Sequence, residues 1–537
     1  MAEMDTQFSG VVPRPVRMER GGGSFSFDRD TRFVVHADDD RTRRTVERFV
    51  NRLNSALWRS FSVEDGSSIA PDRSDCVHFL LDPDLNDVER ADGYQLHVTP
   101  DRVSLRAPGP QGLFYGCQTL RQLLPPAVEH SDPSLVPRDV EWAVPAVEIS
   151  DVPRFSYRGL HLDVARHRFP VSFIKKYIDL MALYKFNRFH WHLTDDQGWR
   201  LELDRYPELT ETGAWRSETQ VGTSDRGDGQ RYGGFYTKEE VREVVSYARE
   251  RHVQVIPEID IPGHCSAVLA AYPELGCEPD RAYHVETSWG VKENVLAPRE
   301  ETFAFLDEVL EEVLELFPGT YVHLGGDEAP TTHWANCDAA KRVMKEEGMD
   351  DVSEVHHYFM ERMEARVEER GRRMIGWDET LEADRSDRGV LMSWRGMKQG
   401  VSGARRGLDV VMTPHSDCYF DYDQADPKHE PLGREGTTTV RDVYAFEPVP
   451  DELDEAAAER VIGTQGCAWT EFMKTGSKVE YMVYPRAIAL AEVAWTAPER
   501  REWEGFWRRL QAHFERLDVL GVNAAGHYDG ELEPFSG

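Results

Sequence analysis

Eight short apolar segments, set apart by stretches of mostly helical length, constrain this sequence more than any other feature. They are YRGLHLDV, NRFHWHLT, VQVIPEID, YVHLGGDE, RMIGWDE, GVLMSWR, DVVMTP and VIGTQGCAW. Strand-like runs alternating with amphipathic helical stretches predict parallel strands joined by crossover helices, and eight of them predict a closed (β/α)8 barrel over roughly residues 150–500. A doubly wound open sheet also alternates, but no Gly-rich phosphate turn follows the first segment.

A chain of 537 residues is longer than the ~250 residues a barrel needs. Ahead of the barrel, GYQLHVT and RVSLRAP alternate as a hairpin pair, and QGLFYGCQTLRQLL places apolar residues at helical spacing. These predict a small α+β domain over residues 1–148, with the barrel domain at 149–537. The Pro-rich PAVEISDVPRF between them reads as a linker.

Active sites of such barrels lie at the C-terminal ends of the strands. The strand candidates here end in Asp163 and Arg166, Asp195 and Asp196, Glu258 and Asp260, Asp327 and Glu328, Trp377 and Asp378, Trp394, and Trp469 with Glu471. Carboxylates and indoles on one rim suit a pyranose, whose C–H faces stack on rings while its hydroxyls need hydrogen-bond partners. Glycoside hydrolysis ordinarily uses two carboxyl groups ~5–9.5 Å apart, on opposite faces of the sugar. Asp327 and Glu328 are adjacent, and neighbours at a strand end point to opposite sides, so they do not make that pair.

Charge narrows the partners. Asp+Glu 96 against Lys+Arg 63 leaves a net charge of −33, which repels phosphate backbones and anionic headgroups, so neither nucleic acid nor membrane is expected. The acids are dispersed and Lys is scarce beside Arg, a pattern expected of a surface adapted to high salt. The seven cysteines include no CxxC, so neither a zinc knuckle nor a disulfide framework is indicated. The opening MAEMDTQFSGVVPRP lacks a basic and an apolar region, which predicts a cytoplasmic protein. A homo-oligomer is compatible with all of this.

In their order and spacing, FYGCQTLRQLL, RGLHLDVARH, FNRFHWHLTDDQGWR, GGFYTKEE, PEIDIPGH, HLGGDEAP, GWDE, SWRG and CAWTE make residues 80–500 resemble a family 20 glycoside hydrolase, a β-N-acetylhexosaminidase. The N-terminal domain resembles the non-catalytic module that precedes the barrel in that family. The resemblance implies a retaining, exo-acting enzyme removing terminal β-linked GlcNAc or GalNAc, for example from chitooligosaccharides. It implies no protein nucleophile: the sugar's 2-acetamido oxygen attacks C1 and gives an oxazolinium intermediate, an exception to the two-carboxylate scheme. Glu328 would protonate the glycosidic oxygen and later deprotonate water, while Asp327 orients the acetamido N–H. The glycines before them would let the backbone approach the sugar.

Further roles are implied position by position. Arg166 would hold O3 and O4, and Glu471 would take O4 and O6. Trp377, Trp394 and Trp469 would box the acetamido methyl and ring face. Tyr419 would bind the acetamido carbonyl, Asp421 would make a further polar contact, and Asp195 with His264 would support Glu328. No cofactor or metal is implied.

Some residues stay open to a second reading. Arg166 suits a structural ion pair with Asp163. His190 and His192, sharing one strand face, suit packing inside the barrel better than metal ligation, and Glu258 with Asp260 suits a buried network beneath the site. A non-catalytic sugar-binding barrel and a metal-dependent barrel hydrolase are the competing functions.

Overall fold

The computed structural model describes residues 10–85, 88, 90–381 and 388–526; most of the stretch bearing on a leader, residues 1–9, lies outside them. The N-terminal domain is a seven-stranded sheet made of β1 (Arg17–Ser26), β2 (Arg32–His36), β3 (Val63–Asp65), β4 (Cys76–Leu81), β5 (Tyr94–Val98), β6 (Arg102–Ala107) and β7 (Ala143–Asp151), in the order β1-β7-β5-β6-β4-β2-β3. The expected hairpin is β5–β6, pairing Leu96 with Leu105 and Val98 with Val103. Two helices pack with the sheet: α1 (Asp40–Leu57), started by the Asp39 carboxylate accepting from the N–H groups of Arg41 and Thr42, and α2 (Pro110–Leu123).

The supposed linker is a correction. Its first half is the end of β7, which lies between β1 and β5 and pairs with both. Val144, Val147 and Ile149 are buried, so the period-two pattern prevailed over the prolines. Asp151, the last residue of β7, then joins the two domains. It accepts from the Tyr94 hydroxyl at 2.7 Å and the Trp495 indole at 2.9 Å, with Lys185 Nζ at 3.3 Å, all buried.

The eight predicted segments form the barrel: β8 (Tyr157–Asp163), β9 (Arg188–His192), β10 (Gln254–Ile261), β11 (Tyr321–Gly325), β12 (Arg373–Trp377), β13 (Val390–Ser393), β14 (Asp409–Met412) and β15 (Val461–Gly466). They close in the order β10-β11-β12-β13-β14-β15-β8-β9, with every pairing parallel. Crossover helices include α3 (Val171–Leu183), α4 (Lys238–Arg249), α5 (Glu300–Leu316), α6 (Glu354–Glu369), α7 (Met397–Arg405) and α8 (Arg486–Trp495). In α5 the buried Phe303, Leu306, Leu310 and Val313 recur every three or four residues, one stripe against the strands. Helix α4 starts with a capping box between Thr237 and Glu240. A last helix, α9 (Trp503–Val519), returns to the N-terminal domain, where Arg516 bonds Glu129.

Register sets what enters the barrel. His161 lies opposite His190, and Asp163, His192, Glu258 and His323 run across neighbouring strands from β8 to β11. Phe189 and Trp191 point the other way, into the shell where Trp191 meets Tyr236 and Phe317. This is the alternation that put His190 and His192 on one face.

Candidate active site

The pair Asp327–Glu328 follows β11 through two left-handed glycines, Gly325 (φ 64°) and Gly326 (φ 89°). A Cβ on Gly325 would stand 1.7 Å from Asp260 Oδ1, and one on Gly326 would stand 2.5 Å from Thr380 Cγ2. The glycines are therefore required both by their left-handed backbone and by the protein packed against the turn. Glu328 is itself left-handed, at φ 46°, a conformation uncommon outside glycine. Here strand alternation no longer holds. The two side chains converge on one imidazole instead of diverging, with His264 Nε2 at 3.4 Å from Glu328 Oε2 and 3.7 Å from Asp327 Oδ2.

From His264 a file of alternating imidazoles and carboxylates descends into the barrel. His264 Nδ1 meets Asp195 Oδ1 at 3.1 Å and Asp196 Oδ2 at 3.2 Å. Asp195 Oδ2 accepts from His192 Nε2 at 2.8 Å, and His192 Nδ1 is hydrogen-bonded to Glu258. Glu258 also accepts the Trp377 indole N–H at 3.0 Å and lies 3.0 Å from His190 Nε2. Burial opposes charge on His192 and His264, yet the carboxylates on both sides hold both imidazoles well above their ordinary range. His192 is hydrogen-bonded through both nitrogens and His264 has a carboxylate within 3.4 Å of each of its own, so both favour the imidazolium form. The network expected beneath the site thus includes Glu258.

A cleft of about 290 Å³ opens beside this file, lined among others by Arg166, Asp195, His264, Asp327, Glu328, Trp394, Tyr419, Asp421, Trp469 and Glu471. Ten of the eleven residues singled out from sequence therefore meet at one cavity. Trp377, the eleventh, is buried below it, its ring 5.9 Å from that of Trp469. Tyr419 is fixed by Phe420 N–H donating to Cys467 O at 2.7 Å and Cys467 N–H to Cys418 O at 2.8 Å. Its ring stacks on Trp394 with centroids 6.2 Å apart. Arg166 combines both readings: it lines the cleft while its nitrogens hold Asp195 at 2.8 Å, Gln197 at 2.9 Å and Asp163 at 3.4 Å.

Three contributors escaped the sequence. Trp289 lines the cleft from the loop after β10, its backbone N–H donating to Gln220 Oε1 at 2.8 Å. Arg434 lines it from the long loop after β14, 3.6 Å from Asp421. Glu379 accepts the Trp394 indole N–H at 2.9 Å from behind the wall. No motif or periodicity marks the first two; Glu379 stands in GWDE beside Asp378, the signal that could have found it.

The carboxyls around the cleft are tuned apart. Burial, and then Glu258 and Glu328, push Asp327 up to about 6, although His264 opposes the shift. The His264 hydrogen bond holds Glu328 below its ordinary range. Burial followed by Glu471 raises Asp421 to about 7, and burial followed by Asp327 and Asp378 raises Glu379 to about 8. Asp260 is pushed well above the carboxylate range by burial and Asp327. Such separation suits groups that trade protons or wait for a partner.

Among the described residues, four sets of buried His, Asp and Glu atoms, such as His192–Asp195–Asp260 and Asp260–His264–Asp327, lie close enough to hold a metal ion. In the three sets that include His192 or His264 the chemistry fits one poorly, and in the fourth, His161–His190–Glu258, the His190 nitrogens already face Gln465 and Glu258 at 3.0 Å each. Both nitrogens of His192, and those of His264, already face carboxylates, whereas a ligand imidazole must offer a lone pair. Asp260 favours its neutral form.

Comparison with known proteins agrees with this geometry. The model of the glycosyl hydrolase family 20 catalytic domain matches residues 155–498, and that of domain 2 of the same family matches residues 9–152. The beta-hexosaminidase of Porphyromonas gingivalis is 40% identical over 515 residues, 96% of this chain; the chain spans 64% of that relative's length. The solved exo-β-N-acetylglucosaminidase of Vibrio harveyi, in complex with N-acetylglucosamine, superposes with a TM-score of 0.85 at 32% identity, covering 97% of this chain and 78% of that one. The β-N-acetylhexosaminidase of Streptomyces coelicolor A3(2) gives 0.84 at 30% identity over 98% and 99% of the two chains. With its barrel, its preceding domain and the residues on its rim, the chain belongs to glycosyl hydrolase family 20.

Proposed function

We propose that the protein is a retaining exo-β-N-acetylhexosaminidase that removes terminal β-linked GlcNAc or GalNAc by substrate-assisted catalysis. One observation carries the mechanism. Asp327 is buried beside Glu328, and its Oδ1 has no hydrogen-bond partner among the described residues. An orphan carboxylate oxygen next to the acid is where an acetamido N–H would bind, turning the carbonyl oxygen toward C1. That oxygen attacks C1 while the glycosidic oxygen leaves with the proton of Glu328, and the Asp327 carboxylate stabilises the cationic ring formed. Water, deprotonated by Glu328, then opens the ring from the same face, so configuration is retained.

Glu328 needs a proton for the first step, although His264 disfavours it in the free cleft. Its side chain is 37% exposed there, and a bound sugar covers it. Burial raises a carboxyl's proton affinity, so binding favours the acid form. Arg166 and Glu471 serve the sugar's hydroxyls, Trp394 and Trp469 its faces, and Tyr419 the acetamido oxygen. Localisation in the cytoplasm and adaptation to high salt complete this reading, the latter supported by the charge of −33.

The test compares nitrophenyl β-GlcNAc with nitrophenyl β-glucoside. Turnover of the first only, with inhibition by a thiazoline analogue of the bicyclic intermediate, is expected. Comparable turnover of both overturns the mechanism, and activity abolished by a chelator overturns the absence of a metal.

A further inference from the structure

A second cavity, of about 300 Å³, lies at the seam between the N-terminal domain and the barrel. Four arginines line it: Arg48 and Arg52 of α1, Arg121 of α2, and Arg251 just after α4. Asp179 of α3 is the one carboxylate among its lining residues. In a chain with 96 acidic and 63 basic residues, that local reversal of charge calls for an explanation.

Internal pairing accounts for part of it. The buried Glu129 accepts from Arg52 at 2.9 Å, from Arg121 at 2.9 Å and from Arg516 of α9. Arg251 bonds Asp179, and Arg48 bonds Glu250 at 3.3 Å. Five guanidiniums thus share three carboxylates. Arg52 commits only Nη1 among the described residues, and the Nε of Arg48 is buried without a hydrogen-bond partner. Arg121 beside it, and then burial, lower the proton affinity of Arg52 to about 10, the mark of a cation short of counter-charge.

We propose that this cavity binds a tetrahedral oxyanion of the phosphate or sulfate class. The anion is held by Arg52 and Arg48 of one helix and Arg121 of the next, and ties the N-terminal domain to the barrel. A guanidinium offers two parallel N–H groups that match two oxygens of such an anion. The space is about ten times the ~30 Å³ share of one water, and Gln118 and Asn51 on its wall add neutral donors. The site shares no lining residue with the sugar cleft and is independent of the activity proposed above.

The test is calorimetry and thermal unfolding of the full chain with inorganic phosphate, sulfate or KCl at matched ionic strength. One phosphate should bind per chain, and the unfolding midpoint should rise by about 2–3 °C over KCl at a hundredfold excess over Kd. Arg52→Gln should weaken phosphate binding at least tenfold while nitrophenyl β-GlcNAc turnover stays unchanged. If that variant does not fold, Arg48→Gln, which leaves all three arginines on Glu129, serves in its place. A midpoint that follows ionic strength alone, or phosphate binding undiminished in the folded variant, overturns the proposal. Sulfate acting like phosphate supports it and generalises the ligand.

Discussion

Glu258 and Asp327 sit in the same barrel, both out of water, and receive opposite treatment. Glu258 is surrounded: His192 and Trp377 donate to it, and His190 and His323 lie 3.0 Å away. Burial would raise its carboxyl, but His192, with His323 and His190, leaves it well below the usual range. Asp327 has one oxygen without a partner among the described residues, several carboxylates near it, Glu258, Glu328 and Asp195 among them, and a carboxyl raised to about 6. Saturation marks a group that holds the scaffold, and an unmet oxygen marks one whose partner arrives with the substrate. The rim shows the same feature at Asp421, where a buried Oδ1 is also without a partner among the described residues.

The strongest way to break this comparison is to remove the proton donor. Glu328→Ala should lower kcat/KM on chitobiose by about 10³-fold or more, yet spare the first step for a nitrophenyl leaving group, which departs without a proton. Azide should restore turnover and yield the β-glycosyl azide. Asp327→Ala should depress both substrates together by about 10²–10³-fold, with little help from azide. Equal leaving-group sensitivity and azide response in the two variants would reverse the roles assigned here.

Glu258→Ala asks the scaffold question. It leaves His192 with one carboxylate in place of two, and breaking a buried charge pair costs about 3–5 kcal/mol. Denaturant unfolding should register that loss. A variant as stable as the parent would show that the file of charges is not structural.

Asp327→Asn asks the converse. A carboxyl raised in the folded state stabilises the fold fully below its unfolded pKa, and that stability is lost as pH rises through about 6. The amide does not ionise, so the variant should gain about 3 kcal/mol over the parent above pH 6, and almost nothing near pH 4. Its kcat/KM should also lose the acid limb centred near 6. Stability differences independent of pH would refute the strained-carboxylate account.

Salt supplies the mildest perturbation. The unfolding midpoint should rise between about 0.1 M and about 3 M KCl as dispersed surface carboxylates are screened. The stability gap caused by Glu258→Ala should not change, because salt does not reach that site. A midpoint unaffected by salt would remove the high-salt reading.

Legibility in the sequence followed burial. All eight barrel strands were readable because each is a short apolar run bounded by polar ends, as a parallel strand covered on both faces must be. The rim residues were readable because strand ends concentrate carboxylates and indoles. What escaped depends on backbone dihedrals or on loops. Nothing in HLGGDEAP shows that Glu328 is left-handed, so the convergence of both acids on His264 was hidden. Trp289 reaches the cleft from an irregular segment, and Arg434 from a four-residue strand, Arg434–Thr437, whose residues are all exposed and show no alternation to betray it. In β7, Pro145 masked an alternation that was nonetheless present, and Pro153 follows just past its end.

The family models divide this chain between residues 152 and 155, as though two modules had been joined there. The bonds to Asp151 run across that division: Tyr94 belongs to one side, while Lys185 and Trp495 belong to the other. An ancestor that exchanged its first module for another would have left an ammonium stranded in an apolar seam. Recombination at this boundary is therefore viable only when the incoming module brings its own acid to face Lys185.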